Sequence, residues 1–437
     1  MSENTAAKFS RPGALSTLVL LLAINLFNYI DRSVLTAVEP ELSKTFALTG
    51  SRSGMLASVF LLAYMFGAPV LGRMAERHSR WKIIALSVGV WSLASCASGF
   101  AWSFEMLLVC RIMVGIGEAG YGPAAPALIS DYFSVEKRGR VMALFYLAIP
   151  VGSALGYVFG GQINKWWGWR WAFWVFVPLE LALALFCYLR HDTRATVAAA
   201  SQPRRSFIAD ARTLLRIPSY LLNTAAMTAM TFAIGGIAFW IPKYMTGRLA
   251  IQQGLDIFTL NGLQTNNDAF KALLADVNTT FGIIVVVAGI FSTFIGGWVC
   301  DKLRSRMRGA YLFVSGLAIL VAFPCTLAML WLPFPYAWTA VFGSVFFLFF
   351  NTGPANTALA NVTSSSMRST AFALNIFIIH ALGDAISPLL VGWVMDKTDW
   401  NTAFKLVSLM MVLASALWLI GSRYLARDED AAAENVN

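Results

Sequence analysis

Charge is what this sequence has least of. Only 13% of its 437 residues are Asp, Glu, Lys or Arg, about half of what a water-soluble surface needs. Histidine is nearly absent, with His78, His191 and His380 the full set. There is no His-Glu-x-x-His, no Gly-x-Ser-x-Gly and no Gly-x4-Gly-Lys-Ser/Thr. These gaps argue against a metallopeptidase, a serine hydrolase and a nucleotide-driven pump. No cofactor and no metal site is expected. The five cysteines (Cys96, Cys110, Cys187, Cys300 and Cys325) lie in or beside apolar runs without metal spacing. They read as small buried apolar side chains. The short polar start through Gly13 lacks a signal-peptide pattern, so the first apolar run is expected to act as an uncleaved insertion signal.

What is abundant is apolar length. Hydrophobic residues make up 58% of the chain and mean hydropathy is +0.64. Runs long enough to cross a bilayer fall near 14–38, 53–74, 82–102, 104–130, 140–163 and 169–190. A second series falls near 218–245, 278–300, 309–332, 335–361, 369–395 and 402–423. From Gly309 to Met367 no ionisable Asp, Glu, Lys, Arg or His occurs, and Leu332-Pro333-Phe334-Pro335 divides that stretch with a turn. The pattern predicts an all-α integral membrane protein with twelve transmembrane helices.

The net charge of +10 does not indicate nucleic acid, because the basic residues sit in short loops. With both termini cytoplasmic, 22 of the 33 Lys and Arg lie on the cytoplasmic side, 8 outside and 3 within or at the ends of spans. That bias fixes the predicted orientation in an inner (plasma) membrane. The expected order is a cytoplasmic tail 1–13, a six-helix half 14–190, a cytoplasmic linker 191–217, a second half 218–424 and a cytoplasmic tail 425–437. Within the second half, 247–277 reads as a long outer loop, either flexible or folded as short surface helices. The halves echo each other. Gly72, Glu76, Arg77 and Arg80 follow the second span, as Gly297, Asp301, Lys302 and Arg304 follow the eighth. Arg138-Gly139 opens the fifth span as Arg368 opens the eleventh. Paired six-helix repeats are a signature of transporters that work by alternating access.

Several segments resemble a known family. Gly72–Lys82 is similar to the loop motif of the major facilitator superfamily, with Glu76 where Asp is usual. Asp131-Tyr132-Phe133 with Arg138-Gly139-Arg140, the glycine series Gly152, Gly156, Gly160 and Gly161, and Trp169-Arg170-Trp171-Ala172-Phe173 resemble further elements of that superfamily. Tyr157 stands where the antiporter form of the glycine motif has Pro. Asn28-Tyr29-Ile30-Asp31-Arg32, Gly115–Tyr121, and Asn375–Leu382 followed by Gly383, Asp384, Ser387 and Pro388 resemble the Spinster branch. The better-known members of that branch move lysophospholipids and sphingosine phosphates. The resemblance implies a lipid transporter whose Asp31 and Glu118 are linked to protons.

Ionisable groups within the spans are costly and call for partners or a water-filled cavity. Asp31 and Arg111 each lie seven residues from the outer end of their span, about 10 Å deep at a rise of about 1.5 Å per residue. An Asp31–Arg111 pair is therefore expected, either as a proton-coupled element or as a static clamp. Glu118, nearly two turns past Arg111, shares its face nearer the midplane. Asn25 and Asn28 extend that polar track. Arg32, about 100° round the helix from Asp31, either lines the cavity or reaches outward. His380 and Asp384, at i and i+4, form either a headgroup site or a packing contact. Glu180 is given no role. Glu76, Arg77, Arg80, Asp131, Arg138, Asp301, Lys302 and Asp384 are expected to latch conformations rather than bind substrate. Phe232, Trp240, Phe346 and Phe350 are candidates for an acyl-chain path.

Three functions fit this pattern. The first is proton-coupled transport of an amphipathic lipid by a monomer, with protons and membrane lipid as partners. The second is proton-coupled symport of a small organic anion or sugar acid. The third is a non-transporting membrane receptor.

Overall fold

The computed structural model describes residues 13–133, 135–190, 207–254, 268–364 and 367–434. Among these it contains helices and turns and no strand. The helices are α1 (Ala14–Thr45), α2 (Gly50–Arg77), α3 (Arg80–Gly99), α4 (Phe104–Tyr132), α5 (Val135–Trp167), α6 (Trp169–Trp174), α7 (Val177–Leu189) and α8 (Phe207–Leu214). They continue with α9 (Pro218–Gln252), α10 (Asp268–Arg304), α11 (Ala310–Trp331), α12 (Tyr336–Phe349), α13 (Thr352–Asn361), α14 (Arg368–Ile379), α15 (Ser387–Lys397) and α16 (Trp400–Glu434). A π-turn, His380–Asp384, joins α14 to α15.

Every expected span falls on helix. Among the described residues, ten stretches are long and apolar enough to cross a membrane. The other two expected spans are α4, diluted by Glu118, four glycines and two prolines, and the α12–α13 pair, interrupted at Phe350–Asn351. Large apolar side chains such as Phe66, Phe294 and Trp298 stand open to the surroundings, as lipid-facing residues must and a soluble surface rarely tolerates. Trp166, Trp167 and Trp171 are also exposed, the residue type that anchors at a membrane–water interface.

The chain forms two compact units. The first contains residues 1–48, 55–194 and 242–286, and the second 49–54, 195–241 and 287–437. In the first, α1 lies along the glycine stripe of α5. A Cβ on Gly152 would sit 2.7 Å from the Leu26 carbonyl oxygen, and one on Gly156 would sit 2.5 Å from that of Ile30. Any larger residue there would push α1 away. The C-terminal part of α1 is held by polar groups in the same unit. Buried Lys243 donates to Glu39 at 3.0 Å and to Ser43 at 2.9 Å, and Asn278 donates to the Ala37 carbonyl at 3.0 Å.

The segment expected as a long outer loop is largely helical where it is described. Residues up to Gln252 prolong α9, and residues from Asp268 begin α10. Phe270, Leu273 and Leu274 pack with Ala250 and Leu249 into a small apolar cluster, which gives these extensions a face to bury. Residues 255–267 lie outside the described residues, as do 191–206 of the linker and the extreme termini.

In the second unit, α16 packs on α11, with Ser415 donating to the Gly316 carbonyl at 2.8 Å. Trp418 donates to Asn223 at 2.8 Å, and Asn223 in turn donates to the Ala355 carbonyl at 2.9 Å. The expected tail from 425 onward proves to be helix. Asp428 accepts from the Ser219 backbone N–H at 2.9 Å, capping the start of α9. Glu429 takes both guanidinium nitrogens of Arg304 at 3.1 and 3.0 Å. Asn361 donates to Glu429 as well, and Arg308 grips Asp430. An acidic tripeptide that reads as a solvated tail is therefore a clamp on the ends of α9, α10 and α13. Of the five free cysteines, Cys110, Cys187 and Cys300 are buried, whereas Cys96 and Cys325 are half-buried.

Candidate functional site

The site is built on α1 and α4 of the first unit, with α2, α3 and α7 completing its walls. Helix α4 reaches its neighbours through glycine. A Cβ on Gly117 would meet the backbone nitrogen of Trp91 at 2.6 Å, and the residue after it, Glu118, is 1% exposed. Asp31 and Arg111 are equally withdrawn, at 4% and 2%. Three charged groups thus sit within the apolar body of one unit, where each unpaired charge costs on the order of several kcal/mol.

Arg32 forms the ion pair with Glu118. Its Nε donates to Glu118 Oε2 at 2.7 Å, and its terminal nitrogen reaches the same oxygen at 2.6 Å. The expected Asp31–Arg111 ion pair is not formed among the described residues. Depth alone made that pair available, but depth leaves open which way each helix is turned. One residue further along α1, the arginine arm faces α4 and spans the remaining distance to Glu118. Arg32 therefore lines the track rather than reaching outward.

Aromatic rings surround both arginines. The Arg32 guanidinium lies 5.0 Å from the Tyr29 ring centre, 5.1 Å from Phe60 and 5.3 Å from Tyr64. Arg111 lies 4.8 Å from the centre of the same Phe60 ring. Ring faces stabilise a partly dehydrated cation, so both arginines stay charged without consuming all their donors. Arg111 Nε is buried and meets no acceptor, and Glu118 Oε1 is likewise unpartnered. This arrangement offers a free donor beside a carboxylate, the chemistry needed for an anionic group and a proton.

The remaining candidates divide. Asn28 lies against Glu118 and belongs to the track. Asn25 does not, because its amide is spent on the Phe145 carbonyl at 2.9 Å and ties α1 to α5. His380 and Asp384 belong to the second unit, where the ring nitrogen sits 2.9 Å from the carboxylate. They occupy the π-turn, a distortion often found at functional positions. Gly235 on α9 makes room for it, since a Cβ there would lie 2.8 Å from that of Asp384.

Of the expected latches, Arg80 pairs with Asp131 and joins the start of α3 to the end of α4. Asp301 accepts from the Tyr311 hydroxyl at 3.0 Å, and Lys302 lies 5.0 Å from the Trp298 ring centre. The side chains of Glu76, Arg77 and Arg138 lie outside the described residues. Trp240 is no part of an acyl path. It is fully buried, donates to the Pro388 carbonyl at 3.0 Å and packs 5.6 Å from Trp400. Phe232 and Phe350 are buried too, and Phe346 stacks within a run of phenylalanines on α12.

One residue that sequence reasoning passed over belongs here. Glu180 on α7 is 1% exposed. Ser92 on α3 donates to its Oε2 at 2.7 Å. Its carboxyl also faces that of Asp31 within hydrogen-bonding reach. The available signal was the cost of a carboxylate in mid-span, which applies to Glu180 as much as to Asp31.

Comparison with known proteins places this architecture. Residues 21–388 match the Major Facilitator Superfamily. Protein spinster homolog 3 of Danio rerio is 32% identical over 94% of this chain and 86% of its own length. Protein spinster homolog 1 of Homo sapiens is 32% identical over 90% of this chain and 76% of its own. In three dimensions the chain is similar to a bacterial homolog of the human lysosomal transporter Spinster, crystallised in an inward-facing, unoccupied conformation. The TM-score is 0.79 at 21% identity, over 96% of this chain and 99% of the other.

Proposed function

Given that the chain belongs to the major facilitator superfamily and to its Spinster branch, a multi-pass membrane transporter family, we propose that it moves an amphipathic lipid with a small anionic head, such as a lysophospholipid or a sphingoid phosphate, in exchange for or together with protons. The observation that carries this reading is the unpartnered Arg111 Nε beside the Arg32–Glu118 pair. An anionic headgroup entering the track would meet one arginine with a free donor and a second held by a carboxylate. Protonation of Glu118 would release Arg32 toward the same headgroup. The exchange favours one access state over the other only if lipid and proton bind the two states unequally.

Alternating access by a monomer in an inner membrane, with both termini cytoplasmic, completes the proposal. The clamp of Arg304 on Glu429 and the Arg80–Asp131 pair lie near helix ends, where making and breaking contacts would gate the cytoplasmic mouth. The test is uptake of labelled lysophospholipid or sphingosine phosphate into vesicles containing the protein, with and without an imposed proton gradient. Gradient-stimulated uptake supports the proposal. Uptake of a small organic anion without any lipid movement would replace it with the symporter reading, and ligand binding without any transport would point to a receptor.

A further inference from the structure

Two carboxyl groups face each other in the first unit, and their hydrogen bonding is incomplete in a matched way. Glu180 Oε2 accepts from Ser92 at 2.7 Å, but Glu180 Oε1 is buried and meets no donor. Asp31 Oδ2 is also buried and meets no donor. The two carboxyls lie within hydrogen-bonding reach of each other. An ionised carboxylate can only accept. Two of them side by side would leave both oxygens unsatisfied and two like charges in an apolar interior, a costly arrangement. A single proton removes both defects, because the protonated acid donates to its neighbour.

We infer that Asp31 and Glu180 hold one proton between them, so that this pair, rather than Asp31 alone, is a proton-carrying site of the transport cycle beside Glu118. The inference rests on the proton coupling proposed above and adds to it a residue on α7. The groups facing the pair are few. Helix α4 presents Arg111 and Glu118, and α3 presents Ser92 and Trp91, neither of them ionised. Arg111 is the cation that acts on Asp31, and its Nε has no acceptor among the described residues. When the shared proton leaves, the added negative charge draws Arg111 toward Asp31. The Asp31–Arg111 pair expected from the sequence is then the deprotonated arrangement, and the structure shows the protonated one. Proton release would thus withdraw Arg111 from a bound anionic headgroup, which links the two ligands through one side chain.

The shared proton can be read without any substrate. Infrared spectra of the purified full-length protein at neutral pH would be compared with those of Glu180→Gln and Asp31→Asn, in ordinary and deuterated water. A neutral carboxyl band that shifts in deuterated water is expected for the wild type. Each variant is expected to lose it completely, because an amide supplies the missing donor and the remaining carboxylate stays ionised. A folded Glu180→Gln protein that keeps the band overturns the sharing, since the proton then sits elsewhere. A wild type without the band overturns it too. If Glu180→Gln does not fold, Asp31→Asn reads the same pair from the opposite side. Absence of lipid transport would leave this result standing, so the two proposals fail separately.

Discussion

Two clusters of charge in this molecule resemble each other in composition and differ in how they are satisfied. At the C-terminal ends of α10 and α16 in the second unit, Arg304, Arg308, Asp428, Glu429 and Asp430 find partners on neighbouring helices, and Glu429 accepts three hydrogen bonds from Arg304 and Asn361. Within the first unit, Asp31, Arg32, Arg111, Glu118 and Glu180 leave an atom without a partner on Asp31, Arg111, Glu118 and Glu180. The first cluster is saturated and near water, where ion pairs contribute modestly. The second is deeply buried and short of partners, where each missing contact costs more. Saturation fits a structural clamp, and the buried shortage is the feature on which the proposed site rests.

Breaking the buried cluster should do the most damage. Arg32→Ala leaves Glu118 without its ion-pair partner at 1% exposure. The expected loss is about 3–5 kcal/mol, read as a large drop in melting temperature together with loss of lipid uptake. Arg32→Lys should recover folding better than uptake, because an ammonium does not reproduce the planar fork that reaches Glu118. Next in size, Glu118→Gln should remove the response of uptake to a proton gradient while the protein still folds, since the amide still accepts from Arg32.

The saturated cluster should respond differently. Glu429→Ala removes the acceptor for Arg304 and Asn361. A loss of about 1–2 kcal/mol is expected in thermal stability, with the pH profile of uptake keeping its wild-type shape. A change in that profile would erase the distinction between the two clusters.

The smallest effect concerns the start of α16. Asp399 accepts from the Thr402 backbone N–H at 3.0 Å and from its hydroxyl at 2.6 Å. These hydrogen bonds hold the Asp399 carboxyl below its ordinary value. Its contribution is therefore fully present above the unfolded value, about pH 4, and is lost as pH falls through the lower folded one. Asp399→Ala should cost about 0.5 kcal/mol at neutral pH, and melting curves of wild type and variant should converge in strong acid.

Much of this fold was legible in the sequence because length and hydropathy determine spans directly. The twelve apolar runs all fall on helix, and segments such as Gly72–Lys82 and Trp169–Phe173 carried the superfamily resemblance. The break between α6 and α7 at Val175–Phe176 was not legible, nor was the π-turn at His380. Hydropathy is the same on either side of such distortions. The helical extensions of α9, α10 and α16 were hidden for another reason: their polar composition reads as loop, and only tertiary partners such as Phe270 and Arg304 make helix favourable there.

The site followed the same division. Sequence spacing gave the depth of Asp31, Arg111 and Glu118, and all three are buried in the first unit. Spacing could not give the rotation of α1 about its axis, and so left open that Arg32 is the arginine that meets Glu118. Glu180 was passed over because the sixth span is peripheral in related architectures, although its cost of burial was as plain as that of Asp31.

The most direct test of the central claim runs the cycle from the lipid side. Vesicles containing the protein and a pH-sensitive dye would be given a lysophospholipid gradient and no proton gradient. Lipid movement should drive a change in internal pH with the wild type, and no change with Glu118→Gln. Lipid movement without any proton flux in the wild type would contradict the account and leave the buried carboxylates without a role in coupling.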